Sequence, residues 1–113
     1  MRMKQRVCAE TGVDLRCGHL VCRVLADGSL DENLRLFVSP AIYSRVTSQA
    51  SDEFQGKVYA ISRFPDPDSL RPDNVLYLSP VAMEKAMPWV KGMLDSNYLQ
   101  LVTYLSKQDR VIH

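Results

Sequence analysis

The residues best equipped for chemistry gather near the start of the chain: Cys8, then Cys17-x-His19-x-x-Cys22. Thiolates and an imidazole are the soft donors that tetrahedral Zn²⁺ takes, so Cys8, Cys17, His19 and Cys22 form a candidate zinc set. Strand geometry works against it. If His19–Cys22 is extended, these two residues, three apart, point to opposite faces, and only a turn at Gly18 would reunite them. The expectation is therefore buried free thiols, with a small zinc-binding domain as an alternative. Cys17 beside His19 is also the one local pairing able to activate a thiolate, but nothing nearby supplies an orienting group or oxyanion donors. Asp66, Asp68 and Asp73 could gather as carboxylates, although their proline-rich surroundings predict a solvated loop.

Cys-x-His-x-x-Cys resembles a fragment of the ligand ladder of a RING finger. The paired Cys-x-x-Cys elements that a cross-braced zinc fold requires are absent, so the resemblance implies nothing for other residues. The chain has only two histidines, His19 and His113, and its five glycines are scattered, leaving no phosphate-cradling loop. It has neither a Gly-x-Ser-x-Gly elbow nor a His-Glu-x-x-His pair. The expectation is a protein that is not an enzyme and carries no cofactor.

The elements that would position these residues come in a repeat. Shifted by forty positions, residues 18–40 align with 58–80 without a gap. Arg23/Arg63, Ser29/Ser69, Leu30/Leu70, Leu36/Leu76, Ser39/Ser79 and Pro40/Pro80 are identical pairs. Six identities exceed the one or two expected by chance, roughly, at ordinary residue frequencies. In the first copy Leu20–Leu25 reads as a strand and Ala26-Asp27-Gly28-Ser29 as a turn, with a second strand over Leu34–Val38. Ser39-Pro40 then supplies an N-cap hydroxyl and a first-turn proline for a helix running to about Ala50. The second copy repeats the order: strand Val58–Phe64, loop Pro65–Asn74, strand Val75–Leu78, and a helix capped by Ser79-Pro80. A short strand over Gln5–Cys8 and a turn at Thr11-Gly12 come before the first copy.

Pro88 must kink the second helix or start another at Trp89. Asp95-Ser96-Asn97 offers caps for a last segment, Tyr98–Lys107, whose Tyr98, Leu101, Val102 and Leu105 share a helical face, with a strand as competitor. The predicted fold is α+β: an antiparallel sheet from two tandem ββα units, about 18–50 and 58–94, with the helices on one face, then a C-terminal segment 95–113. A pseudo-twofold arrangement of the units puts the paired strands at the centre and the helices together on one face. Trp89, Met93, Leu94 and Tyr98 are expected to pack across the helix layer or to form an oligomer seam.

If the helices cover the leucine side of the returning strands, the other face carries Arg23, Arg35, Phe37, Tyr59, Arg63 and Tyr77. Arginine and exposed rings suit a protein interface, where Tyr and Arg are favoured anchors. They also suit nucleic acid, through phosphate pairing and base stacking, or they are simply core. The charge balance bears on this choice. Fourteen basic against thirteen acidic residues leave a net charge of +1, and the loops are acidic, which weighs against a phosphate-binding surface.

A chain of 113 residues, 46% hydrophobic and 24% charged, is one globular domain's worth. No signal-peptide-like or bilayer-spanning apolar run is present, which with three unpaired cysteines predicts a cytoplasmic protein without a membrane partner. The function expected is recognition of a protein or ribonucleoprotein complex, as a regulator or inhibitor acting by steric blockade. A second copy of the chain is a further candidate partner. A small, catalytically empty domain fits a phage or mobile-element anti-defence protein.

Overall fold

Ser39 and Ser79 each end a strand and begin a helix by the same means. In the computed structural model both sit in extended conformation with a proline following. The Ser39 hydroxyl accepts from the Ile42 N–H at 3.3 Å, and the Ser79 hydroxyl from the Ala82 N–H at 3.2 Å. Each satisfies one of the orphan donors of a first helical turn. The structure describes residues 6–65 and 70–111, with side chains from Val7 to Gln100 in those ranges. Gln5, Asp66, Asp68, Ser69 and His113 lie outside it, as do the side chains of Leu101, Val102 and Leu105.

In chain order the strands are β1 (Arg6–Val7), β2 (Asp14–Leu15), β3 (His19–Arg23), β4 (Leu36–Val38), β5 (Tyr59–Ser62) and β6 (Val75–Leu78). The helices are α1 (Pro40–Val46, continued by a 3₁₀ turn over Thr47–Gln49), α2 (Pro80–Ala86) and α3 (Pro88–Val111). The fold is α+β. β1 and β2 form a small antiparallel hairpin, and the other four strands make one antiparallel sheet in the order β4-β3-β5-β6.

The registers repeat. Val21 faces Leu36, Leu20 faces Phe37 and His19 faces Val38. Forty residues on, Ile61 faces Leu76, Ala60 faces Tyr77 and Tyr59 faces Leu78. At the centre, β3 and β5 pair Val21 with Ile61, flanked by Cys22 with Ala60 and Arg23 with Tyr59. In the turn after β3, Gly28 has φ 87°, a left-handed conformation that glycine adopts without a Cβ penalty. Gly18 meets a different demand: a Cβ there would lie 2.5 Å from the Val38 carbonyl oxygen.

Two apolar clusters flank the sheet. One joins Val21, Val38, Tyr59, Ile61 and Leu78 to Ile42, Val46, Met83, Met87, Val90 and Leu94 of the helices. The other takes strand residues of opposite parity, Leu20, Cys22, Phe37, Ala60 and Val75, and adds Val24, Leu30 and Leu70. This second cluster corrects the expectation of an open sheet face. Leu30 and Leu70, from the two β–β connections, fold over it, and Phe37 is left only 8% exposed.

The C-terminal region is also corrected. α3 is a single helix from Pro88, and Asp95-Ser96-Asn97 lies inside it without starting a new segment. Tyr98–Lys107 is helical, so the competing strand is set aside. Proline suits the first helical position, where its missing N–H costs nothing. The next two donors are met from the β1–β2 turn: Glu10 accepts from the N–H groups of Trp89 (3.3 Å) and Val90 (2.9 Å). Among the described residues, no helix is long and apolar enough to cross a membrane.

Candidate functional site

Arg23 and Tyr59 are cross-strand neighbours at the sheet centre, and both belong to the helix side. Their polar ends converge on Asp95 of α3. Arg23 Nη1 donates to Asp95 Oδ1 at 2.5 Å, the Tyr59 hydroxyl donates to the same oxygen, and Lys91 Nζ reaches Oδ2 at 3.0 Å. The Arg23 guanidinium also lies 4.2 Å from the centre of the Tyr98 ring, within cation–π range. Burial works against the Asp95 charge, but the Tyr59 hydroxyl, Lys91 and Arg23 outweigh it and hold the carboxyl below its ordinary value. Burial and the adjacent carboxylate push the Tyr59 phenol upward. The arrangement fastens α3 to the sheet. It offers a ligand little, because Tyr59 is 1% exposed.

The six residues expected to share one binding face are therefore divided. Arg23 and Tyr59 lie beneath the helices, while Phe37 is buried on the other side with Tyr77 packed against its cluster. Tyr77 meets Phe54 edge-on at 5.6 Å between ring centres. Arg63 pairs with Asp52, and Arg35 is exposed at the sheet edge. A continuous arginine–aromatic platform does not form, because the alternation of a strand sends Arg23 and Phe37 to opposite sides of the sheet.

The candidate zinc ligands are likewise dispersed. Cys8 sits in the helix-side cluster, Cys22 in the opposite one, and Cys17 is exposed. Among the described residues no three His, Cys, Asp or Glu side chains are grouped to hold a metal ion. Burial raises the Cys22 thiol to about 12. His19 stacks on Tyr43 of α1 at 3.8 Å between ring centres, and its Nδ1–H donates to the Ser62 carbonyl at 2.8 Å. That carbonyl can only accept, which fixes the Nδ1-protonated tautomer. Burial favours the neutral ring, and despite the Ser62 bond the net effect lowers the His19 pKa.

The remaining candidate site is a groove between α3 and the β4 edge. It has a volume of about 550 Å³ and is lined by Leu34, Leu36, Pro88, Trp89, Met93 and other α3 residues through Gln100. Trp89 is 66% exposed. Helical phase explains this: Val90 and Leu94 point into the core, and Trp89 lies about 100° around the helix from Val90. The sequence marked Trp89 as a helix-layer or seam residue. It carried no signal for the groove, whose two walls lie more than fifty residues apart in the chain. Comparison with known protein families, curated proteins and solved structures finds no match to this chain.

Proposed function

We propose that the chain is a non-enzymatic protein-binding regulator or inhibitor, which acts by covering a surface of a larger complex. The observation that carries this reading is Trp89, a large aromatic side chain left exposed at an apolar groove. Tryptophan is among the residues most often found as an interface hot spot, and a groove beside it supplies the surround that excludes water. The net charge of +1 weighs against partners held mainly through phosphate. The test is capture of the tagged chain from its host's lysate with and without nuclease, alongside a Trp89→Ala variant. A stoichiometric protein that survives nuclease and is lost with Trp89→Ala supports the reading. Recovery that disappears with nuclease, or ignores the substitution, contradicts it.

We also infer that residues 18–50 and 58–94 are two copies of one ββα unit, with their helices on the same face. The identical registers of β3–β4 and β5–β6 support this, as do the two serine-proline caps. The pairing of Val21 with Ile61, its own counterpart at an offset of forty, fits a pseudo-twofold axis through the sheet centre.

A further inference from the structure

We propose that the chain pairs with a second copy of itself through the exposed face of α3, the two helices antiparallel about a twofold axis level with Leu94. The pairing stands on α3 alone; that it hides the face used for the partner rests on the protein-binding reading.

α3 has two faces. Val90 and Leu94 enter the helix-side cluster. Trp89, Gly92, Ser96 and Leu99 are all exposed, and their spacing of three, four and three places them in one stripe, the pattern along which helices pair. Trp89 is 66% exposed and Leu99 64%, the two highest values for large apolar side chains among the described residues. Between them the stripe is small. Glycine is one of the weakest helix formers, and a Cβ on Gly92 would meet nothing within 4 Å among the described residues. Packing among those residues therefore gives no reason for it, whereas the close approach of a second helix does.

The order of these residues says which helix fits. In a twofold contact a patch meets itself, so that residue i touches j and j touches i. A spacing of three, four and three reads the same in both directions. An antiparallel copy therefore sets Trp89 against Leu99 and Gly92 against Ser96. Large side chains meet at the two ends and small ones at the middle, where the helices come closest, and the helix dipoles are opposed. The groove agrees with this. It runs along α3 from Pro88 to Gln100, about 18 Å of helix, and the described residues that line it are all uncharged in a chain that is 24% charged. A charge beside a twofold axis would face its own copy, so an uncharged wall suits self-pairing. The described face holds fewer than the roughly 20–30 residues a side of a standard interface, so the pairing is reversible and micromolar. The unbound chain thus covers Trp89 with its own copy, and a partner must compete for it.

Sedimentation velocity of the full chain from about 1 to 500 µM should show a monomer–dimer equilibrium. Gly92→Leu fills the point of closest approach and should weaken the dimer at least roughly tenfold. Its thermal midpoint, measured on the monomer, should be no lower than that of the unchanged chain, since leucine is the better helix former. Trp89→Glu and Leu99→Lys should each be monomeric alone. Mixed, they should restore a dimer, because an antiparallel copy sets the introduced acid against the introduced base at one end and leaves Trp89 on Leu99 at the other. A chain that stays monomeric throughout, a dimer that survives Gly92→Leu, or a mixture that stays monomeric would each overturn the proposal. None of these outcomes bears on the protein-binding reading, which stands or falls on the capture experiment.

Discussion

Asp95 gathers three donors from different parts of the chain, Arg23, Tyr59 and Lys91, and two of these come from the sheet. Removing its charge by Asp95→Asn leaves Arg23 without its counterion beneath α3. The expected cost is about 2 kcal/mol, read as a lower urea midpoint with an unchanged slope. Because the Asp95 pKa is lowered in the fold, its stabilisation is complete above the unfolded carboxyl value and is lost as pH falls through the folded value. His19 acts at milder pH. Its neutral form is favoured in the fold, so its contribution is full above about pH 6.5, the ordinary histidine value, and is lost as pH falls below it. Thermal midpoints should therefore drop between pH 7.5 and pH 5, and His19→Gln should flatten that drop. The sequence pointed to Arg23 as a repeated position but could not show what it binds. Asp95 is seventy-two residues away, and no local pattern encodes that distance.

Elements were most legible where their signals are local. Serine followed by proline after an apolar run marks both helix starts, since the hydroxyl, the proline and the strand are consecutive. Ser39→Ala and Ser79→Ala should each cost about 1 kcal/mol by chemical unfolding. The start of α3 depends instead on Glu10, nearly eighty residues upstream, which no sequence window could supply. Glu10→Gln keeps an acceptor but loses the charge that favours a helix N-terminus, so a loss of about 0.5–1 kcal/mol is expected. The misread boundary at Asp95-Ser96-Asn97 has a related cause. Asp95 has the chemistry of a cap, but its carboxylate is held by Arg23, Tyr59 and Lys91, so the helix continues past it.

At the scale of the molecule, the α+β class and the antiparallel sheet were legible, because consecutive strand–turn–strand signals imply hairpins, whereas the order of the strands was not read from the sequence. Which sheet face stays open did not follow. The connections were read as solvated turns, yet each carries a leucine, Leu30 or Leu70, that closes the second face. Their match at an offset of forty positions was the available signal: an apolar residue at the same place in two polar loops has a core position to fill. With that face covered, exposure shifts to the groove at Trp89. The measurement that bears most directly on the account is titration of the captured partner against wild-type chain and Trp89→Ala, with thermal unfolding of both. The account predicts affinity weaker by at least roughly thirtyfold, the loss of a hot spot worth about 2 kcal/mol, with an unchanged unfolding midpoint. Equal affinities for the two proteins would contradict it.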